Sequence, residues 1–158
     1  MKYSLPTIVI LAICVTYFSC ESNDDNNFNT LIDTNHTTFP SDDNKEVIYV
    51  SNVPELMATT RLTNEGNKVV IIKDGIYELS ERLWITGDNV IYKSQSKNNN
   101  KVILKGRGIK GSTPCIFDVL GRNFAIRDIT LSDAAMHGIL VHGDKNADSI
   151  HVKNVHFI

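Results

Sequence analysis

The sequence predicts an all-β chain that coils as a solenoid with three short strands in each turn. Two repeats lead to this fold class. The segment AIRDITL at residues 125–131 returns in pattern as HVKNVHF at residues 151–157, 26 positions later. The segment LWITGDNVIYK at residues 83–93 aligns without a gap with FDVLGRNFAIR at residues 117–127, at an offset of 34. A period of about 20 to 50 residues is typical of proteins whose turns stack to bury a continuous core.

Within each repeat, apolar and variable positions alternate with a period of two, which is the period of a β-strand with one buried face. The apolar columns hold Leu83, Phe117 and Ile139; Ile85, Val119 and Val141; Val90, Phe124 and Ile150; and Tyr92, Ile126 and Val152. A third short strand is indicated by Ile129 with Leu131, by Val155 with Phe157, and upstream by Val102 with Leu104. The sequence therefore predicts three strands per turn with their apolar sides inward.

Two kinds of turn residue recur with the same period. A glycine follows the first strand of each repeat, at Gly87, Gly121 and Gly143, where we expect a tight turn that needs freedom in φ. Asp128 and Asn154 stand between the second and third strands. Aspartate and asparagine tolerate the left-handed backbone region, so a two-residue bend is expected there.

The folded region opens with SNVPELMATTRL, residues 51–62. Asn52 or Ser51 can cap a helix and Pro54 suits its first turn, so a short N-terminal capping helix is predicted. The following VVIIKDGIYEL, residues 69–79, predicts an apolar strand, an Asp-Gly turn and an alternating strand.

Residues 1–20 combine one Lys, an apolar run and small or polar residues, which is the layout of a secretory signal peptide. Cys20 stands where cleavage is expected and Ser19 precedes it, so the segment resembles a bacterial lipoprotein signal with Cys20 as the lipid attachment residue. A plain signal peptide or a retained short anchor are the alternatives. The expected location is outside the cytoplasm, anchored to an outer membrane or cell surface, with the periplasmic side also open.

Residues 21–46 have one Lys against seven acidic residues and few large apolar side chains, which predicts a disordered acidic tether. Residues 47–158 hold 14 basic and 11 acidic residues. This mild excess is compatible with an acidic polysaccharide. No basic stripe with interleaved aromatic residues is present, so a nucleic acid partner is not expected.

The three-strand turns, the Asp/Asn bend, the GIYEL strand and the N-terminal helix resemble the right-handed parallel β-helix of the pectate-lyase-like superfamily, over residues 47–158. The resemblance implies an exported protein of polysaccharide metabolism: a lyase, hydrolase or epimerase, or a noncatalytic glycan-binding or adhesion module. It also implies that substrate lies along the first-strand sheet, beside loops 105–114 and 132–137.

On that sheet the outward positions offer Trp84 as a stacking platform and Asp118, Arg122, His137 and His142 as polar contacts. The alternative is a solvated sheet surface with one exposed aromatic residue. No pair of facing carboxylates and no base with a uronate-neutralising partner can be assembled, so catalytic residues stay unassigned and enzyme activity stays open.

Four histidines, at positions 137, 142, 151 and 156, lie close in sequence. The last three should project from different faces of one turn, and zinc needs ligands that converge, so no metal and no cofactor is expected. The chain stops at VHFI inside a predicted strand. We therefore expect the N-terminal part of a longer protein, or a short product whose uncapped last turn pairs with a partner.

Overall fold

The protein is described from a computed structural model, which describes residues 38–109, 111 and 113–158. These residues belong to one compact unit, Thr38–Ile158. The predicted signal peptide, the lipid attachment at Cys20 and residues 21–37 of the predicted tether lie outside the described residues.

The described residues form short strands and a single α-helix of ten residues. Their bounds are β1 Glu46–Val50, α1 Val53–Leu62, β2 Lys68–Ile72, β3 Gly75–Glu78, β4 Leu83–Ile85, β5 Ile91–Ser94, β6 Val102–Lys105, β7 Cys115–Val119, β8 Ala125–Arg127, β9 Thr130–Ser132, β10 His137–Val141, β11 His151–Lys153 and β12 His156–Phe157. A 3-10 turn, Gly143–Lys145, follows β10.

All strand pairs are parallel, and they form three sheets. Sheet A has the order β1-β2-β5-β8-β11, sheet B the order β3-β6-β9-β12, and sheet C the order β4-β7-β10. From β4 onward the chain visits sheets C, A and B in strict rotation. The protein is therefore an all-β structure of parallel sheets with one helix.

The register of the sheets agrees with the alignment of the sequence repeats. Leu83 pairs with Phe117 and Phe117 with Ile139 in sheet C. Tyr92 pairs with Ile126 in sheet A, and Leu104 pairs with Leu131 in sheet B. The residues of one predicted column are thus neighbours across hydrogen-bonded strands, because each strand keeps the same side toward the interior.

The interior is filled by the apolar side chains that point inward from all three sheets. Tyr92, Phe117 and Phe124 are fully buried, with ring centroids 5.0 Å apart for Tyr92 and Phe117 and 5.4 Å apart for Phe117 and Phe124. The Tyr92 hydroxyl lies 2.7 Å from the hydroxyl of Thr59 in α1, which satisfies both polar groups. Burial raises the pKa of Tyr92 far above its usual value.

Helix α1 begins as the sequence predicts. The Asn52 side chain accepts a hydrogen bond from the Glu55 N–H at 2.9 Å, and the Glu55 carboxylate accepts one from the Ser51 N–H at 2.7 Å. This reciprocal pair satisfies two of the free N–H groups at the helix start. The hydrogen bonds from Ser51 hold the pKa of Glu55 below its usual value. Leu56 is fully buried, so the helix packs its apolar side onto the core.

The turn residues confirm one prediction and correct another. Asp128 and Asn154 have φ of 59° and 51°, as expected for the bend. None of the three predicted glycines, Gly87, Gly121 and Gly143, adopts positive φ, so their predicted reason was wrong. No other atom of the described residues lies close to the Cβ position of Gly143, but Gly87 and Gly121 have a different cause. They are needed for close approach: a Cβ at Gly87 would lie 1.9 Å from the Thr63 carbonyl oxygen, and one at Gly121 would lie 2.2 Å from the Gly87 oxygen.

The left-handed positions just before β2, β5 and β8 belong to asparagines instead. Asn67, Asn89 and Asn123 have φ between 52° and 60°. Their side chains form a ladder in which Asn89 donates to Asn67 at 3.0 Å and Asn123 donates to Asn89 at 2.7 Å. The ladder joins the three chain segments that lead into β2, β5 and β8.

Residues 38–45, which we call the strap, were expected to belong to the disordered tether, and the structure differs there. Phe39 packs on the outer side of sheet A, and Asp42 pairs with Lys93 and with Arg127, at 2.7 Å for Arg127. The apolar contact and the two ion pairs together give these residues a defined position.

Candidate functional site on the outer face of sheet C

The outer face of sheet C presents one column with very different side chains. Trp84 of β4 pairs with Asp118 of β7, which pairs with Leu140 of β10. Trp84 is 37% exposed, whereas Asp118 is 1% exposed. The predicted outward column is therefore present, but its acidic member is covered.

Asp118 is buried between a histidine and an arginine. Its Oδ1 lies 2.6 Å from Nε2 of His142, within hydrogen-bond distance, and its Oδ2 lies 3.0 Å from Nη1 of Arg82. Among the described residues no donor makes a hydrogen bond to Oδ2, so the Arg82 contact is an ion pair without hydrogen-bond geometry. A buried carboxylate stays charged only where such partners replace water.

Arg82 connects Asp118 with the exposed aromatic ring. Its guanidinium lies 4.1 Å from the centroid of the Trp84 ring, a cation–π contact. Sequence reasoning missed Arg82, although its spacing of two from Trp84 is a usable signal, because residues i and i+2 of an extended segment lie on the same side.

A groove lies between α1 and the Trp84 side of the sheet, with a volume of about 340 Å³. Its lining combines apolar helix residues, two arginines, a carboxylate and the indole ring: Pro54, Met57, Ala58, Thr60, Arg61, Glu81, Arg82 and Trp84. The buried Thr60 hydroxyl has no hydrogen-bond partner in the described part of the chain. The sequence predicted helix and strand separately, but not the groove that they enclose.

His142 is placed at the end of β10 and is partly exposed. While Nε2 faces Asp118, its Nδ1 lies 3.6 Å from Oδ1 of Asp144 in the 3-10 turn, and Asp144 also pairs with Lys145 at 3.7 Å. Both ring nitrogens therefore face carboxylates.

The thiol of Cys115 is buried beside the same cluster. Burial raises its pKa, the negative charge of Asp118 adds to this increase, and Arg82 opposes it. Because the thiolate is the nucleophilic form, a thiol with a raised pKa is not an activated nucleophile.

The remaining two predicted site residues lie apart from this cluster. Arg122 follows β7 and binds Asp88, with Nη2 at 2.7 Å and Nε at 3.1 Å from Oδ2, while its backbone N–H donates to Oδ1 at 2.8 Å. These hydrogen bonds lower the pKa of Asp88. His137 begins β10 with an exposed side chain and pairs in register with Cys115.

The two loops expected beside sheet C are joined to each other by hydrogen bonds. The Ala135 N–H donates to the Thr113 carbonyl at 3.3 Å, and the Met136 N–H donates to the Pro114 carbonyl at 2.9 Å. Residues 110 and 112 of the first loop lie outside the described residues.

Within the described part of the chain, no group of three or more His, Cys, Asp or Glu side chains could hold a metal ion. The one described α-helix has neither the length nor the apolar composition to cross a membrane. Comparisons with known proteins give no match: neither a family model, nor a curated protein, nor a solved structure matches the chain. The chemistry of the site is therefore argued from its geometry.

Proposed function

We propose that the chain folds as a right-handed parallel β-helix, resembling the pectate-lyase-like superfamily, and that sheet C carries its glycan-binding site. The rotation of the chain through sheets C, A and B, with every neighbour parallel, supports the β-helix. The handedness comes from the resemblance and from the strong preference of parallel crossovers for the right hand.

The groove beside Trp84 is the observation that carries the binding site. Ligand sites combine an apolar or aromatic lining with a few polar groups that converge on the ligand. Here the Trp84 indole, of which more than a third is exposed, offers a surface for a sugar ring. Arg61 and Arg82 supply positive charge, which suits the carboxylates of an acidic polysaccharide.

Binding, rather than reaction, is the function that we assign to the described residues. Hydrolysis of a glycosidic bond requires two facing carboxyl groups. In this site Asp118 is buried against Arg82 and His142, which leaves Glu81 as the carboxylate of the groove. The lyase-type activity that the resemblance implies stays the alternative form of the proposal.

The binding test uses the protein's only tryptophan as its probe. We expect oligogalacturonate to change Trp84 fluorescence in a saturable way, and to do so more strongly than a neutral cello-oligosaccharide. In Trp84→Ala, measured by calorimetry, affinity should fall at least about tenfold, because stacking on the ring is lost. The matched control is Tyr49→Ala, which removes an exposed aromatic residue of sheet A and should leave affinity unchanged.

Two outcomes decide between the forms of the proposal. Unchanged binding in Trp84→Ala would remove the groove as the site. Ultraviolet-absorbing unsaturated products formed during incubation with the polymer would favour a lyase, and their absence alongside binding would favour the adhesion module.

The cellular part of the proposal is export with a lipid anchor at Cys20. Growth of the host with an alkyne-tagged fatty acid should label the protein, and Cys20→Ala should abolish the label and move the protein out of the membrane fraction. Labelling that persists in Cys20→Ala would contradict this attachment site.

A further inference from the structure

Three side chains from three different segments form a chain of contacts that ends on the Trp84 ring. His142, after β10, contacts one oxygen of Asp118 at 2.6 Å; Arg82, before β4, contacts the other at 3.0 Å; and Arg82 stacks on Trp84 at 4.1 Å. Asp118 in the middle is 1% exposed, so the carboxylate that links the two partners is itself shielded from water, while His142 and Arg82 are partly exposed.

We propose that Arg82 is the positioning residue of the Trp84 groove and that protonation of His142, acting through Asp118, controls how firmly Arg82 is held. The coupling itself concerns only the protein's own residues. Its effect on ligand affinity rests on the glycan-binding function proposed above.

The two contacts of Asp118 differ in geometry, and this difference determines which partner is held less firmly when His142 is protonated. The His142 contact has hydrogen-bond distance and geometry, whereas the Arg82 contact leaves Oδ2 without a hydrogen-bond donor. Protonation places a positive charge on the donor that faces the Asp118 carboxylate, which adds Coulomb attraction to this hydrogen bond. Protonation of His142 therefore strengthens the better contact and weakens the hold of Asp118 on Arg82.

The charged and titratable groups around His142 are drawn from each segment that faces it. Asp118 comes from β7, Asp144 and Lys145 come from the 3-10 turn, and Arg82 reaches the cluster through Asp118. The Cys115 thiol adjoins Arg82 and Asp118 and is kept protonated by its raised pKa. When the His142 ring is neutral, the charges of Asp118 and Arg82 balance each other. Protonation of His142 adds one positive charge that no further charge of this cluster balances.

Protonation of His142 should change the affinity for an acidic ligand in a definite direction. Histidine ordinarily changes its charge between about pH 5 and pH 8. On the acid side of that transition Arg82 is released toward the groove and the site gains positive charge. We expect an oligogalacturonate to bind about threefold to fivefold more tightly at pH 5.5 than at pH 8, and a neutral oligosaccharide to show no such gain.

The first measurement is Trp84 fluorescence without ligand between pH 5 and pH 8.5, in parallel with an NMR titration of the His142 ring. The proposal requires a fluorescence transition with the same midpoint as His142. The transition should be absent in His142→Gln and present in His137→Gln, which removes the exposed histidine at the start of the same strand. A transition that survives in His142→Gln, or a midpoint different from that of His142 in the unmodified protein, overturns the coupling.

Arg82 is tested by removal and by conservative replacement. Arg82→Gln should abolish the fluorescence transition, whereas Arg82→Lys keeps the positive charge beside Asp118 and should restore part of it. An equal transition in Arg82→Gln would show that Arg82 does not transmit the change. If the ligand-free transition behaves as expected but no glycan binds at any pH, the coupling stands and the proposed function fails.

Discussion

The aspartates on the outer faces of sheets A and C differ in how deeply they are buried. On sheet A, Asp42 of the strap pairs with Lys93 and Arg127 and keeps a side chain that is 35% exposed. On sheet C, Asp118 pairs with Arg82 and His142 and has a side chain that is 1% exposed. A partly exposed pair adds little to stability and costs little to form, whereas a buried charge carries a large desolvation penalty.

Two aromatic residues on these faces also differ in exposure. Phe39 is folded onto the apolar side chains of Val69, Ile91 and Ala125, so sheet A hides its aromatic contact. Trp84 keeps more than a third of its surface exposed, under an arginine that is itself held by a buried carboxylate. The strap covers the middle strands of sheet A, although Tyr49 of β1 stays exposed, whereas sheet C places a buried charge beside its exposed ring.

The largest expected effect separates the two aspartates. Asp118→Asn removes the charge that balances Arg82 and His142, and should lower the free energy of unfolding by about 3 kcal/mol or more. Asp42→Asn should lower it by about 1 kcal/mol or less, because the Asp42 side chain is itself 35% exposed and water screens its ion pairs. Urea denaturation followed by circular dichroism measures both variants. Equal losses would mean that burial does not distinguish the two faces.

The next effect separates the two aromatic residues. Phe39→Ala removes the apolar contact of the strap and should lower the free energy of unfolding by about 2 kcal/mol. Trp84→Ala should lower it by less than Phe39→Ala does, since more than a third of Trp84 is already exposed to water. The same denaturation experiment compares them, and a larger loss in Trp84→Ala would make the indole a structural residue rather than a binding one.

Local pattern was enough to predict the columns of the sheets and the start of the helix. The alternation around Phe117 and Ile126 and the Asn52 cap depend on neighbours in sequence, which is why they could be read directly. The left-handed bend at Asp128 was predicted for the same reason.

The parts that the sequence did not predict depend on distant partners. Asp42 lies 51 residues from Lys93 and 85 from Arg127, so nothing near it indicates that the strap binds sheet A. Gly87 was predicted because a turn needs freedom in φ. The actual reason for a glycine there is that the Thr63 carbonyl at the end of α1 leaves no room for a side chain. The groove beside Trp84 likewise needs α1 and β4 to be adjacent, which composition and spacing cannot show.

The smallest expected effect tests whether exposure also weakens an ion pair on the sheet C side. Asp88 and Arg122 are both partly exposed, and the hydrogen bonds from Arg122 lower the pKa of Asp88. A lowered pKa in the folded state means that this contact stabilises the protein above the usual pKa of aspartate and stops doing so as the pH falls through the lowered value. Asp88→Asn should therefore lower the Tm at pH 7 by about 2 °C or less.

The pH dependence decides what that small difference means. Thermal unfolding of the unmodified protein and of Asp88→Asn should give Tm values that converge as the pH is lowered below the folded-state pKa of Asp88, since both side chains are then uncharged. A difference that persists in acid would mean that the geometry of the hydrogen bonds at position 88, including the acceptor for the Arg122 backbone N–H, matters more than the charge of Asp88. In that case the contact would act as a turn constraint between β4 and β7, and among the aspartates of sheet C only Asp118 would act through its charge.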